Sequence, residues 1–336
     1  MNGRTAIRWL LGIAISAVFL WLAFRTINAG EVWNTIITAD QRYLIPTTLF
    51  TTLSFLLRGL RWQLCFAPED RVTYGEASAA YGAGVASSQV IPARLGDLVR
   101  AYVLGQVSGV SKSKALGTIV IERLSDLFVV VTMLALLLPL FSLPSWIKVF
   151  DGFAAAIAVV TLVVVYFLAQ RGENLQPPAW VVSRRPLELA FGILVQILAG
   201  FSAVRDVRRA LLILLVSAAV WVTQTGTYAV SFQAVHISLG WKEGALMTGV
   251  LALTAIIPTG PGFAGSFEIA AQNLLALFSV DKTLATGYLE YTRIPSLLGV
   301  VIFAIIGFVF LRLSPRRMKA EPSVPANEAA RLRSTQ

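Results

Sequence analysis

The sequence predicts an all-α polytopic membrane protein with about six full transmembrane helices and two further helices broken within the bilayer. Three observations lead there. Apolar residues make up 56% of the chain and charged residues 14%, with a mean hydropathy of +0.72, whereas soluble domains run at roughly 45–50% and about 25%. The apolar residues are gathered into long runs separated by short basic connectors. Two of those runs, near 74–97 and 245–278, are interrupted by proline and glycine.

The net charge of +10 is spread between and beyond the apolar runs. No Lys/Arg block with interleaved aromatics marks a nucleic-acid groove, and anionic lipid head groups are the expected partners. The single cysteine, Cys65, excludes an internal disulfide, a redox pair and a cysteine-based zinc site, and reads as a packing residue. One histidine, His236, makes a histidine metal cluster and a Ser-His-Asp hydrolase equally poor readings. No metal or cofactor is expected.

In order, Met1 to Arg8 is short and basic and Ala6 to Phe24 is the first span, lacking a convincing small-x-small cleavage site. The second runs from about Tyr43 to Leu57, with Arg58, Arg61 and Trp62 as an interfacial group of snorkelling cations and an aromatic anchor. The segment 74–97 is rich in Gly, Ala and Ser and contains Pro92 and Gly96, so it reads as a first broken element. Ala115 to Leu140 and Phe150 to Ala169 are the next spans. Residues 187–204 form an amphipathic run between arginines, placed flat on the membrane surface. Ala210 to Phe232 is the fifth span.

The second broken element, 245–278, carries Pro258, Gly260, Pro261, Gly262 and Gly265. Each proline removes a backbone donor and clashes with the preceding turn. At membrane depth such a break persists only where protein or trapped water satisfies the freed backbone groups. The last span runs from about Ile294 to Leu311, the single transmembrane domain covers 1–313, and 314–336 reads as a disordered basic cytoplasmic tail.

With both termini cytoplasmic, six spans and two elements that each return to their own side put the basic connectors inside. Both broken elements could instead span, since the charge pattern requires only that they behave alike. Opposed broken helices mark inverted-repeat transporters, whose sites lie near the midplane. Gly84-Val85 before Ile91-Pro92 and Gly249-Val250 before Ile257-Pro258 are the thin sequence support for a repeat.

The charged groups inside apolar runs carry the functional reading. Glu122 and Asp126 share a helix face, Arg123 lies beside them, and Arg94 and Arg100 are the available further cations. Glu290 and Arg293 repeat the theme ahead of Pro295, and Glu268 falls in the first turn of a helix expected to begin at Ser266. Two readings stay open. These groups lock the helices together as an internal ion network, or Arg94, Arg100, Arg123 and Arg293, with Asp97, Glu122, Asp126 and Glu268 around them, form a polar groove for a lipid phosphate.

PARLGDLVRAYVLG (92–105), IERLSDLF (121–128), PTGPGFAGSFE (258–268) and EYTRIPSLLG (290–299), in that order, resemble the lysylphosphatidylglycerol synthase/flippase transmembrane family. The resemblance covers the chain up to about Leu313. It implies an integral membrane protein of the bacterial cytoplasmic (inner) membrane that translocates or presents an anionic phospholipid or isoprenoid lipid. A short tail stands where aminoacyl-transferring members carry a synthase domain, so synthesis of lysylphosphatidylglycerol is not expected. Asp97 replaces the family's usual Glu, and Pro258-Thr259-Gly260-Pro261-Gly262 departs from its Pro-x-Pro-Gly-Gly pattern. Alternative readings are a membrane-embedded polyprenyl-phosphate glycosyl- or acyl-transferase, with Asp97, Glu122 or Asp126 as base, and a non-catalytic subunit beside a lipid-modifying enzyme. Self-association is a further expectation.

Overall fold

The computed structural model describes residues 28–90, 96–141, 145–171, 185–255 and 265–312, and among them every regular element is helical. In chain order these are α1 (Ala29–Thr38), α2 (Leu44–Leu64), α3 (Tyr74–Val90), α4 (Gly96–Ser108), α5 (Lys112–Leu137) and α6 (Ser145–Arg171). They continue with α7 (Arg185–Ala199), α8 (Val207–Ala234), α9 (Trp241–Thr254), α10 (Ser266–Ala276) and α11 (Lys282–Arg312). The stretches 112–140, 207–234 and 282–307, built on α5, α8 and α11, are long and apolar enough to cross a bilayer. Phe153, Ile157, Val160 and Phe167 of α6 point outward, an apolar surface that a membrane protein presents to lipid. The chain is therefore an all-α, membrane-integral protein.

The helix ends follow from local chemistry. Asn28 Oδ1 accepts from the Gly30 amide to start α1, and Asp206 Oδ1 accepts from the Arg208 amide to start α8. Pro46 sits in the first turn of α2, where its missing N–H has no helical partner to lose.

At the centre α2 packs along α8. Their facing surfaces are small and hydroxylic: Thr47, Thr51 and Ser54 of α2 and Ser217, Thr227 and Ser231 of α8 are all buried. The hydroxyls of Thr51, Ser217 and Ser231 donate to carbonyls four residues back, and the Thr51 and Thr227 hydroxyls meet at 3.2 Å. Small side chains let the backbones approach, the usual basis of helix association in lipid.

Each central helix is followed by two shorter helices and then a long one. Helix α3 packs on α2, α4 and α11, and α4 on α5; α9 packs on α8, α10 and α5, and α10 on α11. The long helices cross over, with α11 on α2 and α5 on α8. Helix α1 rests on α11, while α6 and α7 lie outside α5. The α3/α4 crossing is close: a Cβ at Gly96 would stand 2.2 Å from the Gly84 carbonyl oxygen, and one at Gly84 would stand 2.8 Å from that of Gly96. At the start of α10, Gly265 has φ +89°, a conformation that favours glycine.

Several sequence expectations need correction. The second span does not end near Leu57. Helix α2 runs on to Leu64, and Arg61 and Trp62 are completely buried, because they enter contacts with α5 in place of an interface. The last span does not begin at Ile294; α11 starts at Lys282 and passes through Pro295 without ending, as prolines in membrane helices can where neighbours satisfy the freed backbone groups. Trp33 and Trp241 are exposed, and Cys65 is buried in the core as expected. The first span Ala6–Phe24, Pro92, Arg94, Pro258, Gly260, Pro261, Gly262 and the tail 314–336 lie outside the described residues.

Candidate functional site

Helix α5 sets the site. Glu122 and Asp126, one turn apart, face inward and are buried, so their charges must be met by neighbouring helices. Arg61 of α2 meets Glu122 Oε1 at 2.9 Å and donates to both Asp126 oxygens and, at 3.2 Å, to the Ser217 hydroxyl. Arg100 of α4 donates to Glu122 Oε2 at 2.8 Å and lies 3.1 Å from Asp97. Its guanidinium lies over the rings of Trp62 and Tyr81 at 4.9 and 5.0 Å. Arg123, whose side chain is 48% exposed, donates to both oxygens of Asp97 at 3.0 and 3.1 Å. Its contact with Asp126, which the spacing suggests, is longer at 3.8 Å.

Three arginines thus face three carboxylates. With Arg123 alone the two α5 carboxylates would be in excess; Arg61, read from the sequence as an interfacial cation, and Arg100 against Asp97 complete the balance. A fully buried arginine meeting two carboxylates is the arrangement in which such a charge is tolerated in low dielectric.

A second set lies on α10 and α11. Glu268 is buried in the first turn of α10, accepts from the Gly265 amide at 2.6 Å and pairs with Arg293. Arg293 also lies 3.7 Å from Glu290. In both sets an acid in the first turn of the second short helix, Asp97 or Glu268, pairs with an arginine of the following long helix, Arg123 or Arg293.

Between the two sets opens a cavity of about 780 Å³, within the roughly 300–1,000 Å³ of small-molecule sites. Of the residues proposed from sequence, Asp97, Arg100, Arg123, Asp126 and Arg293 line it. Glu122 and Glu268 stand behind, holding Arg100 and Arg293. Apolar residues complete the wall, among them Phe55, Leu251 and Leu297. Leu297 is 51% exposed.

Among the further polar or aromatic lining residues that the sequence reading did not place there are Arg58 of α2 and Trp221, Gln224 and Tyr228 of α8. Trp221 donates its indole N–H to Asp126 at 2.9 Å and carries the Arg58 guanidinium over its ring at 5.4 Å. A signal for them exists in the spacing. Thr47, Thr51, Ser54, Arg58 and Arg61 form one stripe of α2, and Ser217, Trp221, Gln224 and Tyr228 one stripe of α8.

Residues 9–304 match the family described as the lysylphosphatidylglycerol synthase TM region. A UPF0104 membrane protein of Methanocaldococcus jannaschii is 27% identical over 240 residues, which is 70% of this chain and 97% of that protein. Another, of Methanothermobacter thermautotrophicus, is 29% identical over 178 residues, half of each chain.

Proposed function

Because the chain belongs to the lysylphosphatidylglycerol synthase TM-region family, we propose that it translocates or presents an anionic membrane lipid, a phospholipid or an isoprenoid phosphate. The head group enters the cavity and the hydrocarbon chains stay in the bilayer. The observation that carries this reading is the cavity's composition. Its charged lining residues are Arg58, Arg100, Arg123 and Arg293 against Asp97 and Asp126, an excess of positive charge suited to an anion. Its wall also carries apolar residues, among them Phe55, Leu251 and the half-exposed Leu297, which suits a ligand that is charged at one end only.

The packing also supports movement by opposed halves. Among the eight helices α2–α5 and α8–α11, each mutual contact has a counterpart when the two groups are exchanged: α2 on α11 answers α8 on α5, and α3 on α11 answers α9 on α5. We read α2–α5 and α8–α11 as an inverted repeat, with the short pairs α3/α4 and α9/α10 as broken elements meeting at the cavity. The basic connectors support a topology with both termini on the cytoplasmic side of a cytoplasmic membrane. The carboxylates that a transferase would need as a base, Asp97, Glu122 and Asp126, are all committed to arginines, which favours transport or presentation over transfer chemistry.

The test is a reconstituted-liposome assay with fluorescent phosphatidylglycerol, comparing the native chain with Arg94→Ala and Arg123→Ala. The native chain moves the head group between leaflets and the arginine variants move it more slowly. Failure of the native chain to move any of several anionic lipids would remove the transport reading.

A further inference from the structure

One cation at the cavity has no carboxylate of its own. Arg61, Arg100 and Arg123 are met by Asp97, Glu122 and Asp126, and Arg293 by Glu268 with Glu290 nearby. Arg58 pairs with no carboxylate among the described residues. Its Nε lies 3.4 Å from the Ser54 hydroxyl and its guanidinium rests over Trp221, which leaves Nη1 and Nη2 without a hydrogen bond to any described residue. The stretches 91–95 and 256–264, which follow α3 and α9, contain no Asp or Glu. An arginine on a membrane helix is costly to keep unless something meets its charge.

Two neighbours on α8 share this condition. Gln224 and Tyr228 line the same cavity, and the Gln224 side-chain amide and the Tyr228 hydroxyl have no hydrogen-bond partner among the described residues. Tyr228 lies within electrostatic reach of both Arg58 and Arg293. One unmet guanidinium fork, one amide and one phenol therefore converge on the cavity. Most of the other polar groups there are already committed, the Thr51, Ser88, Thr248 and Ser296 hydroxyls to their own helices.

We propose that Arg58, with Gln224 and Tyr228, is the seat of the lipid's phosphate group, and that the buried ion network positions this seat through the Asp126–Trp221 hydrogen bond instead of binding lipid itself. The inference rests on the anionic-lipid reading and sharpens it. A guanidinium fork matches two phosphate oxygens, and Gln224 and Tyr228 each supply a donor to a third. Trp221 fixes the plane of the fork by lying beneath it, while Asp126 fixes Trp221.

The full chain in detergent is titrated with dioctanoylphosphatidylglycerol, dioctanoylglycerol and inorganic phosphate, and lipid binding is read by displacement of a fluorescent phosphatidylglycerol. The native chain prefers phosphatidylglycerol. Arg58→Ala and Arg58→Gln lose about tenfold in affinity for it, with the affinity for the phosphate-free dioctanoylglycerol little changed, so the preference and not merely the fold is lost. If both variants keep the native preference while Arg123→Ala abolishes it, the phosphate sits on Arg123; this inference fails and the anionic-lipid reading stands. If the native chain shows no preference for phosphatidylglycerol, both fail. Inorganic phosphate competing as well as the lipid would make this a free-phosphate site and overturn the lipid assignment. On the native chain alone, phenylglyoxal modification followed by peptide mass spectrometry must show Arg58 protected by phosphatidylglycerol; an Arg58 modified at the same rate with and without that lipid overturns the proposal.

Discussion

Arg61 of α2 meets Glu122 of α5 at 2.9 Å, and neither side chain has any exposed surface. The same guanidinium also serves Asp126 and Ser217, so one side chain ties α2, α5 and α8 together. Removing it leaves two buried carboxylates short of a partner, a loss of about 3–5 kcal/mol. Arg123 differs in environment: it pairs with a partly exposed Asp97, and such a pair contributes about 0–1 kcal/mol. Arg61→Met is therefore expected to collapse the thermal unfolding midpoint in detergent, while Arg123→Met leaves it nearly unchanged. Equal losses would show that the burial difference does not govern this network.

The α3/α4 crossing leaves no room for a methyl group at Gly96, whose added Cβ would meet the Gly84 carbonyl at 2.2 Å. Gly96→Ala should force the two short helices apart at about 1–3 kcal/mol, read as a lowered midpoint and loss of the monodisperse peak on size exclusion. Gly192→Ala on α7 is the matched control, because nothing lies within 4 Å of its added Cβ. There the helix propensity of alanine should add a few tenths to about 1 kcal/mol of stability.

How far these features could be read in advance depends on whether their cause is local. The pairing of Glu122 with Asp126 on one face, the start of α10 at Ser266 and the acid in its first turn all follow from residues within a turn of each other, and each is found where the sequence puts it. Arg61 and Trp62 were misplaced because a cation and a tryptophan after an apolar run look the same at an interface and in a polar interior. What distinguishes them is the carboxylate pair of α5, some sixty residues away in sequence, and only packing brings it there. The stripe Thr47, Thr51, Ser54, Arg58, Arg61 is visible as a period, yet a polar stripe on an apolar helix does not say which helix it faces.

The excess of arginines over carboxylates at the cavity has a local electrostatic consequence. Cys65 is fully buried and should resist thiol reagents in the folded protein, so the native chain already serves as a background for introduced cysteines. Ser296 lines the cavity beside Arg293. Ser296→Cys is expected to react with negatively charged sulfonatoethyl methanethiosulfonate faster than with the positively charged trimethylammonium reagent, by roughly tenfold at low salt. Added Arg123→Ala should reduce that ratio. A preference for the cationic reagent would contradict a basic cavity.

Glu268 does two separate things, and substitution can separate them. Its Oε2 accepts from the Gly265 amide at the start of α10, while its other oxygen meets Arg293. Glu268→Gln keeps an acceptor for the amide and loses the charge that Arg293 needs; Glu268→Ala loses both. The cap alone is worth about 1 kcal/mol, so the alanine variant should melt below the glutamine variant by that margin. In a head-group binding assay, by contrast, both should free Arg293 equally and shift anionic-lipid affinity by the same factor. Matching melting midpoints would mean that the amide contact contributes nothing to the start of α10, and that Glu268 is held there by Arg293 alone.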